Sequence, residues 1–159
     1  MDKRAIVTAL KKGLEADIAA MTRIARDAAD AATHEENKAE GDKDMRATES
    51  SYLARGQAGR VADLEHAHAV LSSMEIRAFG SGDTIGSSAY VELTHGARTL
   101  HLFVTTVAGG RKVTVDGVEV QATTTQSPLG AALIGLSEGD EFEIASPQGM
   151  RSYEIVRVT

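Results

Sequence analysis

The chain has 159 residues, no cysteine and a formal net charge of −6 at pH 7. That length suits one ordinary domain or two small units, and the lack of cysteine excludes disulfides and thiol chemistry. Up to Glu75 there are 11 basic and 14 acidic residues, and after it 6 and 9, so neither half carries the basic surface that non-specific binding to phosphate backbones requires.

The composition changes along the chain. Up to about Met74 it is rich in Ala, Lys and Glu without proline; after about Gly80 it turns to Val, Thr and Gly and holds both prolines. The expected class is α+β, with a helical hairpin over 1–76 and a small β-rich domain with one short helix over 77–159. No apolar run approaches the roughly 20 residues of a membrane span, and the start MDKRAIVTALKKG lacks a signal peptide's apolar core. A soluble, cytoplasmic protein without membrane contact is expected.

In the first run, Ile6, Leu10, Leu14, Ile18, Met21, Ala25, Ala28 and Ala32 recur every three or four residues, which makes one apolar stripe on a helix. Residues 35–49, EENKAEGDKDMRATE, form an acidic knuckle around Gly41 that reads as the tip of a hairpin. The return run repeats the stripe with Leu53, Gln57, Val61, Leu64, Ala67, Leu71 and Met74. If the chain turns at Gly41, the position numbers of facing residues add to 80 to 82, from Ile6 with Met74 to Ala28 with Leu53. A parallel dimer imposes no such relation, so an intramolecular antiparallel coiled coil in a monomer is expected. Arms of about 30 residues would reach ~45 Å.

Toward the tip, alanines on one arm face Gly56 and Gly59 on the other. This reads either as a slender probe with closely approaching helices or as an Ala-rich helix with tolerated glycines. His66 and His68 are two apart and point to opposite sides of a helix, so they make a solvated face rather than a metal pair. His34, His95 and His101 stand alone in the sequence.

From Tyr90 the chain shows short β-type runs at YVEL, TLHLFVTT, KVTVDGVEVQATT, EFEIA and YEIVRV. Asp116-Gly117 is a two-residue hairpin signal, and Ala108-Gly109-Gly110 and 146–149 supply other turns. One short helix is expected at 126–135, with Ser127 as N-cap, Pro128 at the first position and Gly135 as the stop. Leu129, Leu133 and Ile134 are expected to bury against the sheet. The sparse Tyr90, Phe103, Phe142 and Tyr153 read as core. No triad order, HExxH or nucleotide fingerprint is present, which leaves the acidic tip as the only place for chemistry.

The blocks Ser127-Pro128-Leu129-Gly130-Ala131-Ala132-Leu133-Ile134-Gly135, Glu138 to Ile144 and Tyr153 to Val156, behind a coiled coil with an acidic tip, resemble the Gre transcript-cleavage factors of bacterial RNA polymerase. The resemblance implies an FKBP-like C-terminal domain that docks on the polymerase through Thr125, Gln126, Ser127, Pro128 and Leu129. It also implies a coiled coil that enters the secondary channel and meets RNA only through the polymerase. Asp42 and Asp44 would then serve as the catalytic carboxylates and as ligands, only in the complex, of a Mg2+ shared with the polymerase active site. Glu40, Met45 and Glu49 are the weaker tip candidates. The factor would bind no cofactor tightly and would not be an enzyme by itself. The family pattern at the tip is Gly-Asp, two further positions, then Glu; here Gly41-Asp42 is followed at the last position by Met45, whose thioether is a poor Mg2+ ligand. A non-cleaving inhibitor of the same channel therefore stays open, as does, from another class, an FKBP-like isomerase or chaperone, which would need an aromatic-lined pocket.

Overall fold

The computed structural model describes residues 1–36, 43–80, 82–147 and 149–159; the side chains of 29, 31–36 and 43–55 stand outside that description. Two compact units divide the chain: Lys12–Ala69 is one, and Met1–Lys11 together with Val70–Thr159 is the other.

The helices α1 (Lys3–Glu36) and α2 (Lys43–Ser73) supply the first unit. Their near ends are joined by six residues, and at the other end Glu15 on α1 reaches His68 on α2 at 2.8 Å. Helices close at both ends run side by side, in opposite directions. The seam follows the apolar stripe: Leu14 and Ala67 are buried, and Ile18, Met21, Ala25, Gln57, Val61 and Leu64 are half-buried, as befits a two-helix seam with open flanks. His66 is exposed.

Two expectations for this unit need correction. Ala28 is exposed, so the buried stripe does not continue that far. A Cβ added at Gly56 or Gly59 would meet nothing within 4 Å, so these glycines face open space. The close-approach reading fails there, and the glycines are tolerated ones in an exposed helical surface.

The second unit is built on a six-stranded sheet with strands β1 (Tyr90–His95), β2 (Arg98–Thr105), β3 (Lys112–Val115), β4 (Val118–Thr124), β5 (Glu141–Ser146) and β6 (Gly149–Val158), in the order β3-β4-β2-β1-β6-β5. Neighbours are antiparallel except β2 and β4, which run parallel with Leu102 opposite Gln121 and Phe103 opposite Ala122. Asp116 and Gly117 have φ of 52° and 78°, both in the left-handed region that a two-residue hairpin turn between β3 and β4 demands.

Alternation assigns the faces. Val91, Leu93, Leu102, Val104, Tyr153 and Ile155 share one core with Leu133, Phe79 and Ile85, and Phe142, Ile144, Leu129 and Leu136 pack against it. Tyr90, Phe103, Val120 and Ala122 point the other way and are also buried. Ile6, Leu10 and Leu71, at the helix ends that belong to this unit, are buried as well. The segment after α2 holds the start of α1: Lys3 Nζ donates to the Arg77 carbonyl, and Lys3 and Arg77 lie 4.9 and 5.1 Å from the Phe79 ring centroid. Burial, then the Arg77 charge, lowers the Lys3 pKa.

Helix α3 (Pro128–Leu133) touches both β4 and β5, although three strands lie between them in the sheet. The sheet must therefore curl around α3, leaving a seam between β4 and β5. Leu133 is fully buried and Leu129 partly so, but Ile134 is 43% exposed, contrary to expectation. As C-cap, Ile134 is extended, with φ −62° and ψ 127°, and the chain leaves the helix there. Leu136 packs on the core instead, fixed by backbone hydrogen bonds from Ile85 N to Leu136 O (2.7 Å) and from Gly135 N to Ile85 O (3.2 Å).

His95 and His101, isolated in sequence, have partners in space. His95 Nδ1 lies 2.8 Å from the Ser152 carbonyl oxygen, and its ring is 5.0 Å from Tyr153. His101 Nδ1 is 2.9 Å from Tyr90 Oη.

Candidate functional site

The turn between β4 and α3 is held by four residues. Thr124 O accepts from both Ser127 N (3.0 Å) and Ser127 Oγ (2.8 Å). Ser127 Oγ in turn accepts from Gly130 N at 3.0 Å, which caps the helix. A Cβ on Gly130 would sit 2.1 Å from Thr124 O, so only glycine lets the first helical turn lie against the end of β4. Pro128, fixed near helical φ and lacking an N–H, fits the first position. Ser127 and Gly130 are therefore internal fasteners. The docking candidates presented to solvent are Thr125, Gln126 and Pro128, with Leu129 half-buried behind them.

This turn forms one wall of a cleft of about 610 Å³. Thr123 and Thr124 of β4 and Gly109 and Gly110 line one side, and Ile144, Ser146, Arg151 and Tyr153 of β5 and β6 line the other. Gly109 fits closely: a Cβ there would lie 2.9 Å from the Thr124 methyl. Tyr153 stacks on Phe142 with ring centroids 5.3 Å apart, which stiffens the floor. Tyr153 is the only aromatic among the lining residues, so the aromatic-lined pocket that the isomerase reading needs does not form here.

Spread over residues 109–153, this lining escaped the sequence reading, which saw only the Ser-Pro turn. One signal was available: Arg151 shares strand parity with the inward Tyr153 and Ile155, and a cation at an inward position is unusual.

Glu40 and Asp42 lie outside the described residues; Asp44, Met45 and Glu49 lie on the first turns of α2, with their side chains outside the description. The convergence expected of Asp42 and Asp44 thus falls outside it too. Among the described residues no group of three or more His, Asp or Glu could hold a metal ion, and no helix is long and apolar enough to cross a membrane.

Away from the cleft, the Tyr90 phenol is perturbed. Burial, then the charge and hydrogen bond of Glu92, push the Tyr90 phenol up to about 12, with Arg157 pulling the other way. Tyr90 Oη donates to Glu92 Oε1 at 3.2 Å.

Residues 117–159, which contain β4 to β6 and the fastened turn, match the family model described as "Transcription elongation factor, GreA/GreB, C-term". The transcription elongation factor GreA of Acidiphilium cryptum is 32% identical over 102 residues, 63% of this chain and 60% of that protein. Over these stretches the chain is similar to GreA-type transcription elongation factors. GreA of Hyphomonas neptunium is 56% identical to it over 32 residues, 20% of each protein. These matched stretches span between a fifth and three fifths of the curated relatives' length. Among solved structures, the crystal structure of Thermus aquaticus Gfh1 is 22% identical to this chain, covering 95% of this chain and 94% of that one, with a TM-score of 0.41. A GreA/GreB structure from Nitrosomonas europaea, also 22% identical, covers 70% and 92% with a TM-score of 0.37.

Proposed function

We propose that this chain is a Gre-type factor, a cytoplasmic, monomeric transcription elongation factor that binds bacterial RNA polymerase at its secondary channel. The observation that carries this reading is the GreA/GreB C-terminal match over 117–159, together with the exposed Thr125, Gln126 and Pro128 on a rigidly fastened turn. In this reading the turn docks and the coiled coil carries the tip into the channel. RNA is met only inside the polymerase, and the factor has no catalysis of its own.

At the tip, Asp42 and Asp44 offer the carboxylate oxygens that Mg2+ prefers, and these residues would hold a Mg2+ shared with the polymerase. A second metal stabilises the attacking and leaving oxygens of an in-line displacement. Met45 offers no such oxygen. This favours a second reading within the same fold, a factor that occupies the channel and inhibits. The test is a backtracked elongation complex incubated with saturating factor. Shortened RNA supports cleavage stimulation, binding with slowed cleavage supports inhibition, and failure to bind polymerase refutes both.

A further inference from the structure

We propose that Lys3 and Arg77, gathered on the ring of Phe79, form a binding site for the terminal phosphate of a small molecule. These residues belong neither to the tip nor to the lining of the cleft, and the site stands whether or not the polymerase reading does.

Three observations converge on it. The first is that the fold concentrates positive charge at one point. Lys3 Nζ lies 4.9 Å and the Arg77 guanidinium carbon 5.1 Å from the same ring centroid, and Lys3 Nζ donates to the Arg77 carbonyl. Arg77 is itself held, because its backbone N–H donates to Oγ of the fully buried Ser88 at 2.9 Å. Each cation gains from the π face of the ring, yet the two repel each other: after burial, the Arg77 charge is the second cause that lowers the Lys3 pKa.

The second is that no carboxylate neutralises the pair. Among the described residues neither cation has an ion-pair partner. The carboxylates nearest in the chain are turned to backbone groups: Asp2 Oδ1 accepts from Arg4 N at 2.9 Å, and Asp83 Oδ2 accepts from Gly80 N at 2.8 Å. In a chain of net charge −6, two neighbouring cations left without a counter-charge make a place for an anion from solution.

The third is access. Arg77 is exposed and Lys3 half-buried, while Phe79 is buried and serves as the floor. A Cβ added at Gly86 would lie 3.8 Å from Arg77 Nη1, so the guanidinium runs beside a residue with no side chain to cover it. A buried ring offers no surface for a base to stack on, which puts recognition on the phosphate. A terminal phosphate carries about two negative charges at pH 7, which two cations match, and its oxygens suit the guanidinium fork. A nucleic-acid backbone offers one charge per phosphate, and neither half of the chain has the basic surface to collect more.

The test titrates the full chain, 15N-labelled, with pyrophosphate, ADP and sodium chloride at matched ionic strength. Pyrophosphate is expected to shift the amides of Lys3, Arg77, Phe79 and Gly86 and the Arg77 Nε–H to saturation, while chloride leaves them in place. Tighter binding of ADP than of pyrophosphate assigns a nucleotide as the source, and equal binding assigns the phosphate group alone. Lys3→Gln and Arg77→Gln should each weaken pyrophosphate binding about tenfold, with the deficit shrinking as salt rises. Arg77→Lys should recover part of the loss, and Lys112→Gln on the β3 edge should bind as wild type does. The wild-type titration decides even where a variant unfolds. Equal responses to chloride and pyrophosphate, shifts centred away from Phe79, no response at millimolar pyrophosphate, unchanged binding by the Lys3→Gln/Arg77→Gln double variant, or tighter binding of a short single-stranded RNA would each overturn the proposal.

Discussion

Replacing Gly130 by alanine should unfasten the turn between β4 and α3. Taken alone, an alanine in a helix gains up to about 1 kcal/mol over glycine, so propensity predicts stabilisation. The structure predicts the opposite, because the new methyl would sit 2.1 Å from Thr124 O and 2.7 Å from Thr124 C. Relief requires the first turn of α3 to move away from the end of β4. That movement breaks the two hydrogen bonds that Thr124 O accepts from Ser127 and strains the bond from Gly130 N to Ser127 Oγ. Three bonds at about 1 kcal/mol each, offset by the propensity gain, leave a net loss of about 2 kcal/mol. For a chain of this size that lowers the melting temperature by roughly 4 to 8 °C. Urea unfolding followed by far-UV circular dichroism measures it, with Ser127→Ala, expected to cost about 1 kcal/mol, as the partial version of the same injury. A Gly130→Ala protein as stable as wild type would refute the reasoning, since it would mean that the turn relaxes without losing its fasteners.

The glycines on α2 should behave in the opposite way. Gly56→Ala and Gly59→Ala meet open space, so each should stabilise by up to about 1 kcal/mol; destabilisation in the same urea experiment would restore a close-packing role. The raised pKa of Tyr90 predicts an alkaline effect: its stabilising contribution is complete below pH 10.0 and is lost as pH rises toward about 12, because the unfolded phenol ionises first. Tyr90→Phe should flatten the fall in stability across that window, and an unchanged pH profile would contradict the assignment. At the tip, Met45→Glu should increase cleavage of backtracked RNA by adding a carboxylate three residues after Asp42, and Asp42→Asn should decrease it; robust cleavage by a chain lacking both Asp42 and Asp44 would exclude the tip carboxylates.

Local chemistry written in the sequence was enough for most of the elements. Side-chain periods of 3.6 and 2 marked the helices and the strands. Asp116-Gly117 marked the β3–β4 hairpin, and Ser127-Pro128 marked the start of α3, because φ preference and capping act over two to four residues. The facing of the two helical stripes was legible too, since a single turn fixes the register of an antiparallel pair. Other features depended on which residues meet across long separations. Gly130 is obligatory only because Thr124 O arrives from β4. Ile134 lies outside the core because the chain leaves α3 in an extended conformation and Leu136 takes the inward place. His101 acquires Tyr90 as a partner only through the β1–β2 register. The cleft itself joins β4 to β5 and β6 across a curled sheet, and curvature is a property of packing that no local pattern encodes. Arg151 carried an inward parity in the sequence, but its place in one cleft with Ile144, Leu129 and Thr123 could be known only from the tertiary structure.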